Sequence, residues 1–342
     1  MRAAIITAER SIDWREVPDP VPAPGGVVVD IAYCGICGTD VHAYAHGGPY
    51  PPTLCGHEWS GTVSAVARDV TALSEGDRVS VATLAACGTC TECRAGLADW
   101  CATSTGSLYF DPAGSPHGGY AARIAASANR LVRVPAELSD EAAAMIEPAT
   151  VAFHGVRRAG IRIGDRVVVQ GAGPIGAFAL QWVRAAGASH VTVVEPAPAR
   201  AALALQLGAD LVVDPGEAAT AAVAGTSGGL GADVVVECAG VPATIQSAVD
   251  LVRRGGQVAV IGLSDRPATI TPTTWLLKEV VVRCFVAYVR ADFDHTVAMM
   301  TAGQVQTAPI HTSTVDLDGL TGAFDLLASG AGDETKILVR PG

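Results

Sequence analysis

A chain of 342 residues is longer than one hydrophobic core usually serves, which predicts two domains. With 49% apolar and 17% charged residues it is a globular protein, not a disordered one. The formal net charge of −11, with no Lys/Arg run and no low-complexity tail, argues against a nucleic acid or an anionic membrane as partner.

At the start of the chain, Arg2, Glu9 and Arg10 leave no long apolar core, so the segment does not read as a signal peptide. No apolar run reaches the ~18 residues of a membrane helix, and the expectation is a cytoplasmic protein. Short Val/Ile/Ala runs cut by Gly and Pro follow, among them Val27–Ile31, Gly61–Val66 and Asp77–Val81. They predict short antiparallel strands in a barrel-like domain. A helix is predicted over Ser139–Met145 with Ser139 as its N-cap. After Glu147 the texture changes. Val167–Gln170 reads as a buried strand, followed by a glycine loop and a helix to Ala186, stopped by Gly187. Val191–Glu195 is the next strand, and Ala199–Leu207 a helix stopped by Gly208. Leu211–Asp214, Asp233–Glu237 and Gln257–Gly262 complete the predicted strands, with helical segments between them. Apolar strands alternating with helices predict a parallel, doubly wound sheet.

Nine cysteines, an odd number in a long chain, do not fit a disulfide scaffold. Cys87, Cys90, Cys93 and Cys101 fall within fifteen residues and can supply four thiolates to one tetrahedral zinc. Four protein ligands leave no position for substrate, so such a site is structural. An iron–sulfur cluster is the competing metal reading.

Gly171-Ala172-Gly173-Pro174-Ile175-Gly176 is a G-x-G-x-x-G run between a strand and a helix, and Glu195 ends the next strand about 20 residues on. The glycines allow a tight turn and close approach to a pyrophosphate, and the helix N-terminus offers it free N–H groups. Pro174 at the first turn removes no needed hydrogen bond. Glu195 can accept bonds from ribose hydroxyls and repels a 2′-phosphate, which favours NAD over NADP. Arg200, one turn into the following helix, is the cation able to approach that position.

Cys34-Gly35-Ile36-Cys37-Gly38-Thr39-Asp40-Val41-His42, Gly56-His57-Glu58 and Ile146-Glu147-Pro148 stand in that order before the glycine loop. With these motifs the whole chain resembles the zinc-containing medium-chain alcohol dehydrogenases, closest to their polyol, threonine and butanediol branch. The resemblance implies an α/β two-domain fold. Residues 1–148, completed by 286–342, form a GroES-like β-barrel catalytic domain. Residues 149–285 form a Rossmann doubly wound parallel sheet that binds NAD. It implies two zincs per chain. Cys37 and His57 ligate the catalytic one, Glu58 is a direct or alternating ligand, and Glu147 stands where other branches have a cysteine ligand. Cys34 lies outside the Cys-Gly-Thr-Asp motif. Cys55, Cys238 and Cys284 are taken as buried packing residues.

By the same resemblance zinc activates the alcohol oxygen, Thr39 hydrogen-bonds it, and His42 relays its proton to solvent. Sorbitol-type enzymes carry Arg where this chain has Ala287, and Tyr where it has Ala43. The segment Val286–Phe293 resembles the butanediol-dehydrogenase group instead. The expected activity is interconversion of a small secondary alcohol or vicinal diol and its ketone by hydride transfer with NAD, in a homo-oligomer, dimer or tetramer. The alternatives are a polyol or amino-alcohol dehydrogenase of secondary metabolism, a zinc-free double-bond reductase, and a non-catalytic NAD-binding zinc protein. Trp59, Tyr44, Tyr109 and Phe110 are candidates to line the pocket or to pack in the core.

Overall fold

Gly26–Gly35, the valine-rich strand predicted around Val27–Ile31, is the spine of one sheet in the computed structural model, which describes residues 1–342 apart from Leu108 and Ala331. It pairs antiparallel with Glu58–Val66 on one side and with Arg123–Ser127 and Lys336–Arg340 on the other. The sheet runs in the order His311–Asp316, Lys336–Arg340, Gly26–Gly35, Glu58–Val66, Arg78–Val81, Leu131–Arg133, with Arg123–Ser127 off this path. Inward residues Val27, Val29, Val63, Val79, Ile124, Ile337 and Val339 join Trp59, Tyr120 and Phe324 in one core. Each aliphatic side chain fully buried there contributes roughly 1.5–3 kcal/mol. The register sets up the chemistry. Gly35 stands opposite both Glu58 and Leu338, so the segments bearing Cys37, His57 and Lys336 meet at one end of the sheet.

The second sheet is parallel, in the order Leu211–Val213, His190–Val194, Arg166–Gln170, Ala232–Glu237, Val252–Val260, Val281–Cys284. Helices cross between its strands, so the central strands bury both faces, as Val167, Val168 and Val169 do. The chain leaves Arg166–Gln170 toward one edge and later returns to fill the other. The topological switch point therefore lies between Arg166–Gln170 and Ala232–Glu237.

Two compact units contain these sheets. One comprises Met1–Glu147, Tyr288–Thr301 and His311–Gly342; the other comprises Pro148–Ala287 and Ala302–Ile310. The excursion of Ala302–Ile310 into the second unit is fixed by Gln306, whose N–H donates to Gln181 Oε1 and whose carbonyl accepts from Gln181 Nε2.

Local signals explain the boundaries. Ser139 caps Asp140–Ala144 by accepting from Ala142 N–H at 3.2 Å. Pro174–Ala185 ends at a C-cap Ala186 followed by Gly187 at φ 95°, a left-handed position that suits glycine. The strand expected from Gln257 begins earlier, at Val252, because Gly255 and Gly256 interrupt the apolar pattern while the backbone continues. Val281–Cys284 is an edge strand with exposed residues, so it carries no buried-strand signature, and Cys284 is exposed, not a packing residue. No helix among the described residues is long and apolar enough to cross a membrane.

Candidate metal centres and dinucleotide site

Cys37 is the N-cap of the helix Gly38–His46. Its Sγ accepts from Thr39 N–H at 3.4 Å, which fixes the thiol at the helix start. Gly56 turns the chain at φ 68° into His57 and the strand that opens with Glu58. One donor atom each of Cys37, His57 and Glu58 falls within 4.8 Å of the others, close enough for a single ion to touch all three.

His57 Nδ1 lies 2.9 Å from Leu54 O. A carbonyl only accepts, so Nδ1 carries the proton and Nε2 keeps its lone pair for a metal. Asp40 Oδ1 stands 3.9 Å from the same Nδ1. This fully buried carboxylate accepts from Tyr50 OH at 2.6 Å and Tyr120 OH at 2.8 Å. Burial presses the His57 pKa down, but the negative charges of Cys37, Asp40 and Glu147 outweigh it and hold the ring above its ordinary value. Those surroundings favour positive charge at this point, whether a proton or a metal ion. The donor set of thiolate, imidazole and carboxylate suits zinc.

Glu58 is 2% exposed and forms an ion pair with Lys336, itself 1% exposed; Lys336 Nζ also donates to Ile36 O at 2.9 Å. Glycine at position 35 leaves room for this pair, because a Cβ there would press on the Glu58 carboxylate and the end of the Lys336 stem. Glu147, in the first turn of the helix Ile146–Arg158, is buried and hydrogen-bonded to Tyr288. Burial, helped by Glu58, pushes its carboxyl up to about 7 against the pull of His57, Lys336 and Tyr288. Glu147 is not one of the three groups that share the 4.8 Å cluster. Thr39 and His42 are both half-buried on the Gly38–His46 helix, and they are not hydrogen-bonded to each other among the described residues. His42 stacks on His46 with ring centroids 5.4 Å apart.

Cys87, Cys90, Cys93 and Cys101 bring their four sulfurs within 4.8 Å of one another. Backbone N–H groups point at the sulfurs: Thr89 and Cys90 donate to Cys87, and Cys87 and Ser104 to Cys101. The Thr103 hydroxyl, with these donors behind it, pulls the Cys87 thiol down to about 5. Such a cradle stabilises thiolates, the form that binds metal. Cys34 is fully buried, and burial pushes its thiol well above the ordinary value, as expected of a packing residue.

In the second unit Gly171 has φ 85°, and Gly173 is the N-cap of the helix that starts at Pro174. A Cβ on Gly176 would strike the Gly171 carbonyl, so this turn needs glycine at both positions. Glu195 is buried at the end of the strand His190–Val194. One carboxylate oxygen accepts from Ala172 N–H at 2.7 Å and the other from Ala197 N–H at 2.8 Å. Each oxygen retains a lone pair for a ribose hydroxyl. Gly171, Gly173, Glu195 and Arg200 line a cavity of about 970 Å³ at the switch point, at the upper end of small-molecule sites. The cavity also reaches Gln170, Thr220 and Thr244, which the motif does not mark.

Asp40 sits inside the Cys-Gly-Thr-Asp motif, but its role beside His57 is not evident from the sequence. Tyr50, Tyr120 and Lys336 lie outside any motif. Of the candidate pocket aromatics, Tyr44 is core, packed on Phe324 and bonded to Asp325 at 2.9 Å. Trp59, Tyr109 and Phe110 border a cavity beside His57, with Tyr109 and Phe110 largely exposed.

Comparison with known proteins agrees with this geometry. Residues 23–136 match the model of the alcohol dehydrogenase GroES-like domain, and residues 174–302 that of zinc-binding dehydrogenases. The chain is 32% identical to (R,R)-butanediol dehydrogenase of Bacillus subtilis strain 168, with all of both chains covered. The crystal structure of 2R,3R-butanediol dehydrogenase from Bacillus subtilis superposes with a TM-score of 0.86 at 30% identity, covering 100% of this chain and 99% of that one. A zinc-binding dehydrogenase from Sinorhizobium meliloti 1021, solved bound to NADP, gives a TM-score of 0.86 at 29% identity over 99% of each chain. Motifs, fold and relatives together show that this chain belongs to the zinc-containing medium-chain alcohol dehydrogenase family.

Proposed function

We propose that the protein oxidises a small secondary alcohol or vicinal diol, and reduces the matching ketone, at a zinc held by Cys37 and His57. The convergence of these two side chains with Glu58 at one end of the sheet carries the reading. Bound there, zinc supplies Lewis-acid activation of an alcohol oxygen, as it lowers the pKa of bound water from 15.7 to about 7, while NAD accepts the hydride.

The chain's own residues do the rest. Leu54 O and Asp40 hold His57 in the tautomer that leaves Nε2 free. Thr39, whose hydroxyl lies 3.6 Å from Cys37 Sγ, accepts the alcohol proton. His42, three residues along the same helix, relays it to solvent. Glu58, paired with Lys336, would be the carboxylate ligand of that zinc, with Glu147 as the alternative carboxylate. Cys87, Cys90, Cys93 and Cys101 hold a second zinc that is structural, since four protein ligands close the site.

Gly171, Gly173, Pro174, Ile175 and Gly176 cradle the pyrophosphate. Glu195 selects NAD, because a 2′-phosphate would face its charge; among the described residues that line the cavity, Arg200 is the cation able to offset it. The open edge strand Val281–Cys284, with Leu276, Leu277 and Val286 exposed nearby in sequence, supports a homo-oligomer.

A panel of butan-2-ol, butane-2,3-diol and hexitols, each with NAD and with NADP, tests the reading. We expect NAD-dependent oxidation with a higher kcat/KM for the small alcohols than for hexitols. No oxidation of any alcohol, or an equal or better kcat/KM with NADP, would overturn the corresponding part.

A further inference from the structure

The cavity beside His57 and Glu147 is bordered by Thr53, Ser115, His117, Arg130 and Tyr288. His117 belongs to none of the motifs. It is 3% exposed, and its Nδ1 lies 2.8 Å from Gly118 O. The carbonyl only accepts, so Nδ1 carries the proton and Nε2 is left with a lone pair. The ring makes no other hydrogen bond among the described residues. Burial holds its pKa below the ordinary value, so the imidazole stays neutral near pH 7.

The ring is also fixed relative to the metal centre. Gly119 N–H donates to Gly56 O at 2.9 Å, and Gly118 packs so tightly on Cys55 O that a Cβ would not fit. The segment 117–119 is thereby stitched to 55–57, which carries His57.

The cavity offers little to a charged substrate. Arg130 is paired with Asp111 at 3.2 Å and donates to Ala82 O at 3.2 Å, so its charge is already met. Away from the His57 centre, an anion meets no unpaired guanidinium or ammonium among the described residues that border the cavity, whereas a hydroxyl finds an acceptor.

We propose that His117 is a specificity-determining residue whose Nε2 accepts a hydrogen bond from a substrate hydroxyl other than the one oxidised. The site thus selects an uncharged diol or polyol over a mono-alcohol and over a hydroxy acid. The proposal rests on the alcohol-oxidising reading above.

The test compares butan-2-ol, butane-2,3-diol and 3-hydroxybutanoate as substrates of the wild type, His117→Phe and His117→Gln with NAD. Phe keeps the ring's bulk without its acceptor, and Gln restores an acceptor. We expect the wild type to prefer the diol. His117→Phe should lower the diol to mono-alcohol ratio of kcat/KM about tenfold, the worth of one neutral hydrogen bond, and His117→Gln should recover part of it. A ratio unchanged in His117→Phe, an equal loss on both alcohols, or a wild-type preference for the hydroxy acid overturns the proposal alone. A wild type that oxidises no alcohol overturns the functional reading and the proposal with it.

Discussion

Lys336 and Glu58 show what single residues decide. The pair is almost wholly buried, and Glu58 also belongs to the cluster with Cys37 and His57. Removing one partner of a buried ion pair leaves the other uncompensated, at a cost of about 3–5 kcal/mol. Lys336→Met should therefore lower unfolding stability by about that amount, measured by denaturant titration of the zinc-loaded protein. A loss below about 1 kcal/mol would show that zinc, not Lys336, carries the Glu58 charge. None of this coupling is legible in sequence, because 278 residues separate the partners. The only local sign is a lysine opening the apolar run Lys336-Ile337-Leu338-Val339. Cys37, His57 and Glu58 were legible because short motifs carry them; Asp40 has its meaning from Tyr50 and Tyr120, which only the fold brings to it.

Among elements, the central parallel strands are tied at their N-terminal ends by Asp233. Its carboxylate accepts from Arg166 N–H at 2.9 Å and from Arg253 Nε at 2.7 Å, linking Arg166–Gln170, Ala232–Glu237 and Val252–Val260. Burial alone would raise its pKa, but the Arg166 N–H and the Arg253 guanidinium outweigh it and hold the carboxyl below the ordinary value. A depressed folded pKa contributes stability that is present above the unfolded value, near 3.9, and is lost as pH falls through the folded one. Asp233→Asn should lower stability by about 1 kcal/mol at pH 7, allowing for solvent screening, and the gap should close in acid. Thermal melts of both proteins from pH 7 to pH 4 and below check this; a gap that widens on acidification contradicts the assignment. The same strands were legible in sequence because both faces are buried and their valines run uninterrupted. Val281–Cys284 was not, because an edge strand with exposed side chains has no such run. The glycines Gly255 and Gly256 hid the start of its neighbour.

For the molecule as a whole, the order of motifs along the chain already indicated a two-domain zinc dehydrogenase, and the sheet topology and relatives agree. What the motifs did not convey is the surroundings of each site: the ion pair behind Glu58, the carboxylate near His57, and the His117 imidazole that borders the same cavity. On the reading proposed here the two ligand clusters have different jobs, Cys37 and His57 in turnover and the four cysteines in structure. The decisive measurement is zinc content together with NADH formation from butane-2,3-diol, for the wild type, Cys37→Ser and Cys90→Ser. Two zincs and turnover are expected in the wild type. One zinc, a folded chain and no turnover are expected in Cys37→Ser, and a chain of reduced stability in Cys90→Ser. A Cys37→Ser protein that keeps both zincs and full turnover, or a wild type that holds no zinc and still turns over, rules out this division of roles.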